Sequence, residues 1–237
     1  MTIVLHELAL AGDLRPSAYC WRVRYALAHK GLDYSVVPTS FGRIPTIAGG
    51  GQKTVPVMEI SEAGKRRVVG DSWDIANDLE KTYPDRPSLF GDDQGRSYAY
   101  FIQNWCLHTL HKLMMKAIIL DIYDRIHPEE QESFRNIREQ RLGMTLEEIA
   151  AGPIDARLDA VRAALEPVRA VLQTQAFLCG DAPRHADYIL AGQLHWPREV
   201  SPKRILEADD PIVPWFERML ALYDRIGAES TRTWDGP

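Results

Sequence analysis

Apolar and polar positions follow two different rhythms along this chain, and the change comes near residue 84. Residues 3 to 5, Ile-Val-Leu, make a short apolar run suited to a buried strand. After a polar, Gly-containing stretch, Cys20, Val23 and Leu27 recur at i, i+3 and i+7, with Ala26 in the same stripe. That spacing predicts a helix whose inward face includes Cys20. Gly31 ends it, as a left-handed C′ residue would. Leu32, Tyr34 and Val36 then alternate with polar partners, which predicts a half-buried strand. Strand, helix and strand in such close succession form a βαβ unit with a right-handed crossover. A loop containing Gly49, Gly50 and Gly51 leads into TVPVMEI, and SEAG turns that strand back into KRRVVG. In DSWDIANDLEKTYP, Ser72 is placed as N-cap, Asp74 lies in the first turn, and Ile75, Leu79 and Tyr83 repeat at helical spacing.

After PDRPSLFGDD, a Pro, Asp and Gly cluster, the rhythm is helical throughout. Residues 96 to 123 carry a dense apolar pattern with almost no breakers. Thr145 and Glu148 have the spacing of a capping box, although Gly152-Pro153 stops that helix early. Leu158, Val161, Leu165, Val168 and Leu172 form a bundle seam, and Pro167 kinks or divides it. Further helices are expected over about residues 185 to 195 and from Pro214 to about Ile226. The division is therefore residues 1–83, a small α/β unit; 84–94, a linker; and 95–237, an all-helical unit.

Composition narrows the function classes. The 237 residues include 45% apolar and 26% charged positions, and the formal charge is −5. That balance offers no electrostatic footprint for nucleic acid or an anionic membrane surface. The three cysteines, Cys20, Cys106 and Cys179, have no paired spacing, so neither a disulfide framework nor a metal site is indicated. The sequence carries no secretory-type h-region and no apolar run of membrane-spanning length, and a cytoplasmic location is expected.

Three positions carry candidate chemistry. Ser17 precedes the first helix, where unpaired N–H groups and the helix dipole favour negative charge. Its hydroxyl is too weakly acidic to serve as a base but can donate a hydrogen bond to a bound thiolate. Val55-Pro56 opens a strand, and a cis bond there would free the Val55 amide and carbonyl for a ligand backbone. Asp71-Ser72 opens the next helix and offers an acceptor to an ammonium and donors to a carboxylate. Each alone reads as ordinary capping or turn chemistry.

Their order is more specific. A βαβ unit with Ser-x-x-Cys at its helix start, then Val-Pro, then Asp-Ser, resembles the glutathione transferases. So does GDAP followed by Ala186-Asp187-Tyr188. SAYCWRVRYALAHKG, DSWDIANDLEKTYPDRPSLF and FLCGDAPRHADY are most similar to the bacterial lignin β-aryl-etherase branch and to fungal serine-type relatives. The resemblance implies a thioredoxin-like first domain, an all-α helical-bundle second domain, glutathione as co-substrate and a homodimer. It places Ser17 against the glutathione sulfur, Val55 and Pro56 against the cysteinyl unit, and Asp71 and Ser72 at the γ-glutamyl end. Gln52 and Lys53 are candidates for a further contact from the preceding loop. Two departures stand out: Ala18 follows the serine where many relatives have proline, and Arg184 occupies an N-cap position it cannot serve as acceptor.

The expected reaction is attack of the thiolate on a hydrophobic aromatic electrophile, with β-aryl ether cleavage, and so lignin degradation or detoxification, as the specific form. Asn104, His108, His111 and Met115 lie at helical spacing and are assigned to the electrophile pocket, opposite Tyr19 and Trp21. Two alternatives remain open: a glutathione-dependent thiol oxidoreductase using Cys20, and a non-catalytic carrier of hydrophobic ligands.

Overall fold

The computed structural model of the chain describes residues 1–228. Its first half is a four-stranded sheet in the order β2-β1-β3-β4. β1 (Thr2–Leu8) pairs in parallel with β2 (Ser35–Thr39) across α1 (Ala18–His29). β3 (Val57–Glu62) runs antiparallel to β1 and to β4 (Lys65–Gly70), and α2 (Ser72–Thr82) follows. The hairpin turns on Ala63 and Gly64, both at positive φ, the backbone that matches the twist of paired strands. This is a thioredoxin-like arrangement. Leu32 and Tyr34 fall ahead of β2, which starts only at Ser35, and the segment before Gly50 is a 3₁₀ stretch, Phe41–Gly49, rather than open loop.

The second half is all helical. α3 (Asp93–Trp105) continues through a π-type turn, Cys106–Leu110, into α4 (His111–Arg125). Then come α5 (Gln131–Leu142), α6 (Leu146–Ile149), α7 (Ile154–Ala164), α8 (Glu166–Leu172), α9 (His185–Val200) and α10 (Ile212–Arg225). Both halves of the Thr145/Glu148 capping box form. The chain divides between α7 and α8 at Leu165, just before Pro167. α9 runs five residues past the expected end, continuing through Pro197 although proline disfavours a helix interior, in a helix buried along its whole length.

That burial locates the core. α9 packs against α1, so α1 has almost no solvent face: Trp21, Arg22, Val23, Tyr25, Ala26 and Leu27 are all buried. The fit is close at Gly192, where a Cβ would stand 2.3 Å from the Ala18 carbonyl oxygen. The missing N-cap acceptor at Arg184 is compensated from Asp187, whose carboxylate accepts from the amides of Arg184 (3.1 Å) and Leu178 (2.7 Å) and from Trp215 Nε1 (3.0 Å). The 84–94 segment is tied down as well. Leu89 and Phe90 are buried, and the Leu89 carbonyl accepts from the His185 amide.

Candidate active site

Sheet register brings the three candidate positions to one end of the fold. Val57 pairs with both His6 and Gly70, so the start of β3 lies beside the ends of β1 and β4. Val55-Pro56 enters β3 there, Asp71-Ser72 leaves β4 there, and the chain from β1 reaches Ser17 from the same edge. Loops at the carboxyl end of a parallel strand are where α/β sheets place ligands.

The peptide carrying Ser17 is held from three sides. Trp21 Nε1 donates to the Arg15 carbonyl at 2.7 Å, and the Arg15 guanidinium reaches the buried Glu7 carboxylate at 2.7 Å. The Arg15 amide is 3.4 Å from a Glu199 carboxylate oxygen on α9. Ser17 is the N-cap of α1, and its Oγ accepts from the Cys20 amide at 3.3 Å. The hydroxyl is an acceptor in that bond, and its own proton can point to the Cys20 thiol or to a ligand. A half-buried O–H beside the first free amides of a 12-residue helix can stabilise an anion at the helix start.

Cys20 lies one turn away and differs in every respect that governs reactivity. It is 3% exposed, and burial, reinforced by the Glu7 carboxylate, pushes its thiol up to about 12. A reactive thiol needs the opposite environment.

The Val55–Pro56 bond is cis, with Val55 half-buried and Pro56 buried. Gln52 is half-buried in the approach to it and Lys53 is exposed. At the next helix start the capping assignment is corrected. Asp71, at φ +68°, is the N-cap and accepts from the Trp73 amide (2.7 Å) and the Asp74 amide (3.4 Å). Ser72 is instead the first residue of α2 and is buried. Asx side chains tolerate the left-handed region and bond their own backbone two residues on, which selects Asp for this corner.

The proposed electrophile pocket is only partly assembled. Tyr19 faces His111, with ring centroids 5.9 Å apart. His111 stacks on Trp196 at 4.4 Å and lies 3.4 Å from Gln193 Oε1, so α9 fixes its ring. Burial pushes this histidine down to about 4, which keeps it neutral. Met115 is half-buried against the core, and Asn104 donates to the Tyr100 carbonyl of its own helix. His108 is exposed. The π-type turn at Cys106–Leu110 adds a residue to the helical period, so the four positions do not share one face. Trp21 does not line the pocket: it is 2% exposed and stacked on His195 at 3.9 Å inside the α1–α9 seam. Among the described residues, no group of three His, Cys, Asp or Glu could hold a metal ion.

Residues that periodicity does not single out also surround this pocket. The Arg22 guanidinium lies over the Tyr19 ring, 4.5 Å from its centroid, fully buried and with no hydrogen-bond partner on any of its three nitrogens. Arg138 on α5 packs over Phe134, which in turn meets Phe41 of the first half. In the sequence Arg22 belongs to WRVR, where an arginine reads as a solvated helix position; only the α9 seam buries it.

Comparison with known proteins agrees with this arrangement. Residues 16–82 match the family model described as "Glutathione S-transferase, N-terminal domain", and residues 98–221 match "Glutathione S-transferase, C-terminal domain". A zeta-class glutathione S-transferase of Euphorbia esula is 30% identical over 122 residues, covering 48% of this chain and 52% of that protein. The chain thus spans about half the length of the curated relatives it matches. Among solved structures, a glutathione S-transferase of Ceriporiopsis subvermispora in complex with glutathione superposes with a TM-score of 0.76 at 23% identity, covering 99% of this chain and 100% of that one. A glutathione transferase of Phanerochaete chrysosporium gives 0.72 at 25% identity, over 95% and 92% of the two chains.

Proposed function

Because this chain belongs to the glutathione S-transferase family, we propose that Ser17 and the start of α1 hold the thiolate of bound glutathione, which then attacks an aromatic electrophile in the cleft between the two halves. The observation that carries this is the Ser17 geometry: a half-buried hydroxyl at the N-cap of α1, one lone pair of which is occupied by the Cys20 amide. A cysteinyl thiol ordinarily titrates near pH 8.5, so only a few per cent is thiolate at neutral pH. Lowering its pKa by about two units needs roughly 2.7 kcal/mol of preference for the charged form. One charge-assisted hydrogen bond together with a helix N-terminus is the right size for that.

The other assignments follow the tripeptide. Val55 pairs through its backbone with the cysteinyl unit beside Pro56. Asp71 keeps one carboxylate oxygen for the γ-glutamyl ammonium, and the α2 N-terminus with Ser72 faces the carboxylate. Gln52 and Lys53 approach from the preceding loop. The new carbon–sulfur bond forms as the leaving group departs with its electron pair; for a β-aryl ether that group is a phenolate. A homodimer is part of the same reading.

Conjugation assays over a panel of aryl halides and β-aryl ethers test it, with thioether product identified by mass. Product formation that survives Cys20→Ser and collapses in Ser17→Ala is expected. Mixed-disulfide reduction that disappears in Cys20→Ser would instead establish the oxidoreductase alternative. Tight binding of aromatic ligands with no turnover across the panel would favour a carrier.

A further inference from the structure

Trp21 is buried away from the cleft, yet it holds the backbone on both sides of Ser17. Its amide donates to the Ser17 carbonyl at 3.1 Å, in the first turn of α1. Its indole N–H donates to the Arg15 carbonyl at 2.7 Å. A helical side chain leans back over the preceding turn, which brings the indole to a residue six positions earlier. Between the two anchored carbonyls lie only Pro16 and Ser17. Pro16 is buried and its ring locks its own φ, so few torsions are left to displace the Ser17 side chain.

One such bond would satisfy any buried tryptophan. Here it belongs to a closed loop of contacts. The Arg24 guanidinium, one turn on along α1, lies 4.8 Å from the centroid of the Trp21 ring. Arg24 Nε donates to Glu7 Oε2 at 2.7 Å and Nη2 donates to Glu7 Oε1, a two-pronged pair with a carboxylate that is 1% exposed. The same Oε1 accepts from Arg15 Nη1 at 2.7 Å, and Arg15 returns the loop to the carbonyl that Trp21 holds. The outer edge of the Arg15 guanidinium is fixed as well, with Nε 3.1 Å from Asp13 Oδ1. On α9, His195 stacks on the indole at 3.9 Å with 8° between the planes, which sets the tilt of the ring. β1, α1, α9 and the peptide before Ser17 are therefore tied together at Trp21.

We propose that Trp21 is a positioning residue for the thiolate site: with Arg15, Glu7 and Arg24 it fixes the Ser17 turn so that the hydroxyl and the start of α1 meet the glutathione sulfur. Trp21 touches no substrate and acts through the Arg15 and Ser17 carbonyls. Hydrogen bonds weaken steeply with angle, and the pull of a helix N-terminus falls off within its first turn. The placement of this turn therefore sets how much of either reaches the sulfur. The inference rests on the transferase reading, because it concerns the geometry of that same site.

Trp21→Phe keeps an aromatic ring in the seam and removes the N–H. Arg15→Gln opens the loop of contacts at a half-buried position, and Arg15→Lys restores a charge opposite Glu7. The thiolate absorbance of bound glutathione is titrated against pH in these variants, in the wild type and in Ser17→Ala. Affinity for S-methylglutathione, which has no ionisable thiol, is measured by calorimetry on the same proteins. Trp21→Phe and Arg15→Gln are each expected to raise the pKa of the bound thiol by about half to one unit, a threefold to tenfold loss of thiolate at neutral pH. S-methylglutathione should bind within about twofold of its wild-type affinity, and Arg15→Lys should titrate between the wild type and Arg15→Gln. Wild-type titrations in both Trp21→Phe and Arg15→Gln, while Ser17→Ala shifts, overturn the positioning role and leave Ser17 in place. A raised pKa with an equal loss of S-methylglutathione binding overturns it as well, because the whole site has then moved. Superimposable titrations that include Ser17→Ala, or no glutathione binding by the wild type, overturn the Ser17 assignment and this inference together.

Discussion

At the residue scale, Ser17 and Cys20 show how one helical turn separates two kinds of chemistry. Ser17 sits before the first helical residue, where its hydroxyl meets free amides; Cys20 sits after it, where the stripe shared with Val23 and Leu27 turns inward. Asp71 is the other informative position, since it both caps α2 and is assigned to the glutathione ammonium. These roles come apart in Asp71→Asn. Asparagine caps as well as aspartate and tolerates positive φ, so the melting temperature should stay near the wild-type value. The lost charge should weaken glutathione binding by about tenfold or more, the size of one charge-assisted hydrogen bond. Calorimetric titration and a thermal melt of the same sample check both halves. The cap and the inward cysteine were legible in the sequence, because each depends only on local spacing. That Asp71, rather than Ser72, caps the helix was not, since it turns on the φ of a single residue.

At the scale of elements, the site depends on α1 lying flush against α9. Gly192 permits that approach, and a methyl group there would meet backbone, the Ala18 carbonyl, which a rotamer change cannot relieve. Gly192→Ala is expected to cost about 1–3 kcal/mol through overpacking and to displace the residue next to Ser17. A lower melting temperature and a lower kcat/KM should appear together, and a stable variant with wild-type turnover would show that the seam yields without disturbing the helix start. The βαβ unit, the hairpin and the Thr145 capping box were readable because each has a local signature. The stripe of Asn104, His108, His111 and Met115 was not a single face, because a π-type turn changes the period without any marking residue such as proline. Trp21 was misplaced, and Arg22 went unremarked, for a different reason. A helix packed between a sheet and a second buried helix has two inward sides, and periodicity reports one.

At the scale of the whole molecule, the seam between the halves is polar as well as apolar, and it makes stability sensitive to acid. Burial lowers His111 to about 4 and His185 to about 3, and pushes His195 well down. Each is neutral when folded and takes up a proton near its ordinary pH once unfolded. Stability from these groups is therefore fully present above about pH 6.5 and falls as pH drops from there towards about 4, by at most about 1.4 kcal/mol per pH unit for each histidine. Thermal melts between pH 7.5 and 4.5 should show a progressive fall, and His185→Phe should flatten it. The two-part architecture was legible from the change in hydrophobic rhythm near residue 84. The buried place of Arg22 over the Tyr19 ring was not, because it depends on α9 closing over α1.

The central claim is that Ser17 stabilises a glutathione thiolate, and the thiolate itself absorbs in the ultraviolet. The decisive measurement is a pH titration of that absorbance with glutathione bound to the wild type and to Ser17→Ala. The wild type should ionise the bound thiol about one to two pH units below the free value near 8.5, and Ser17→Ala should return it most of the way. Superimposable titrations of the two proteins, with glutathione bound to both, would contradict the assignment.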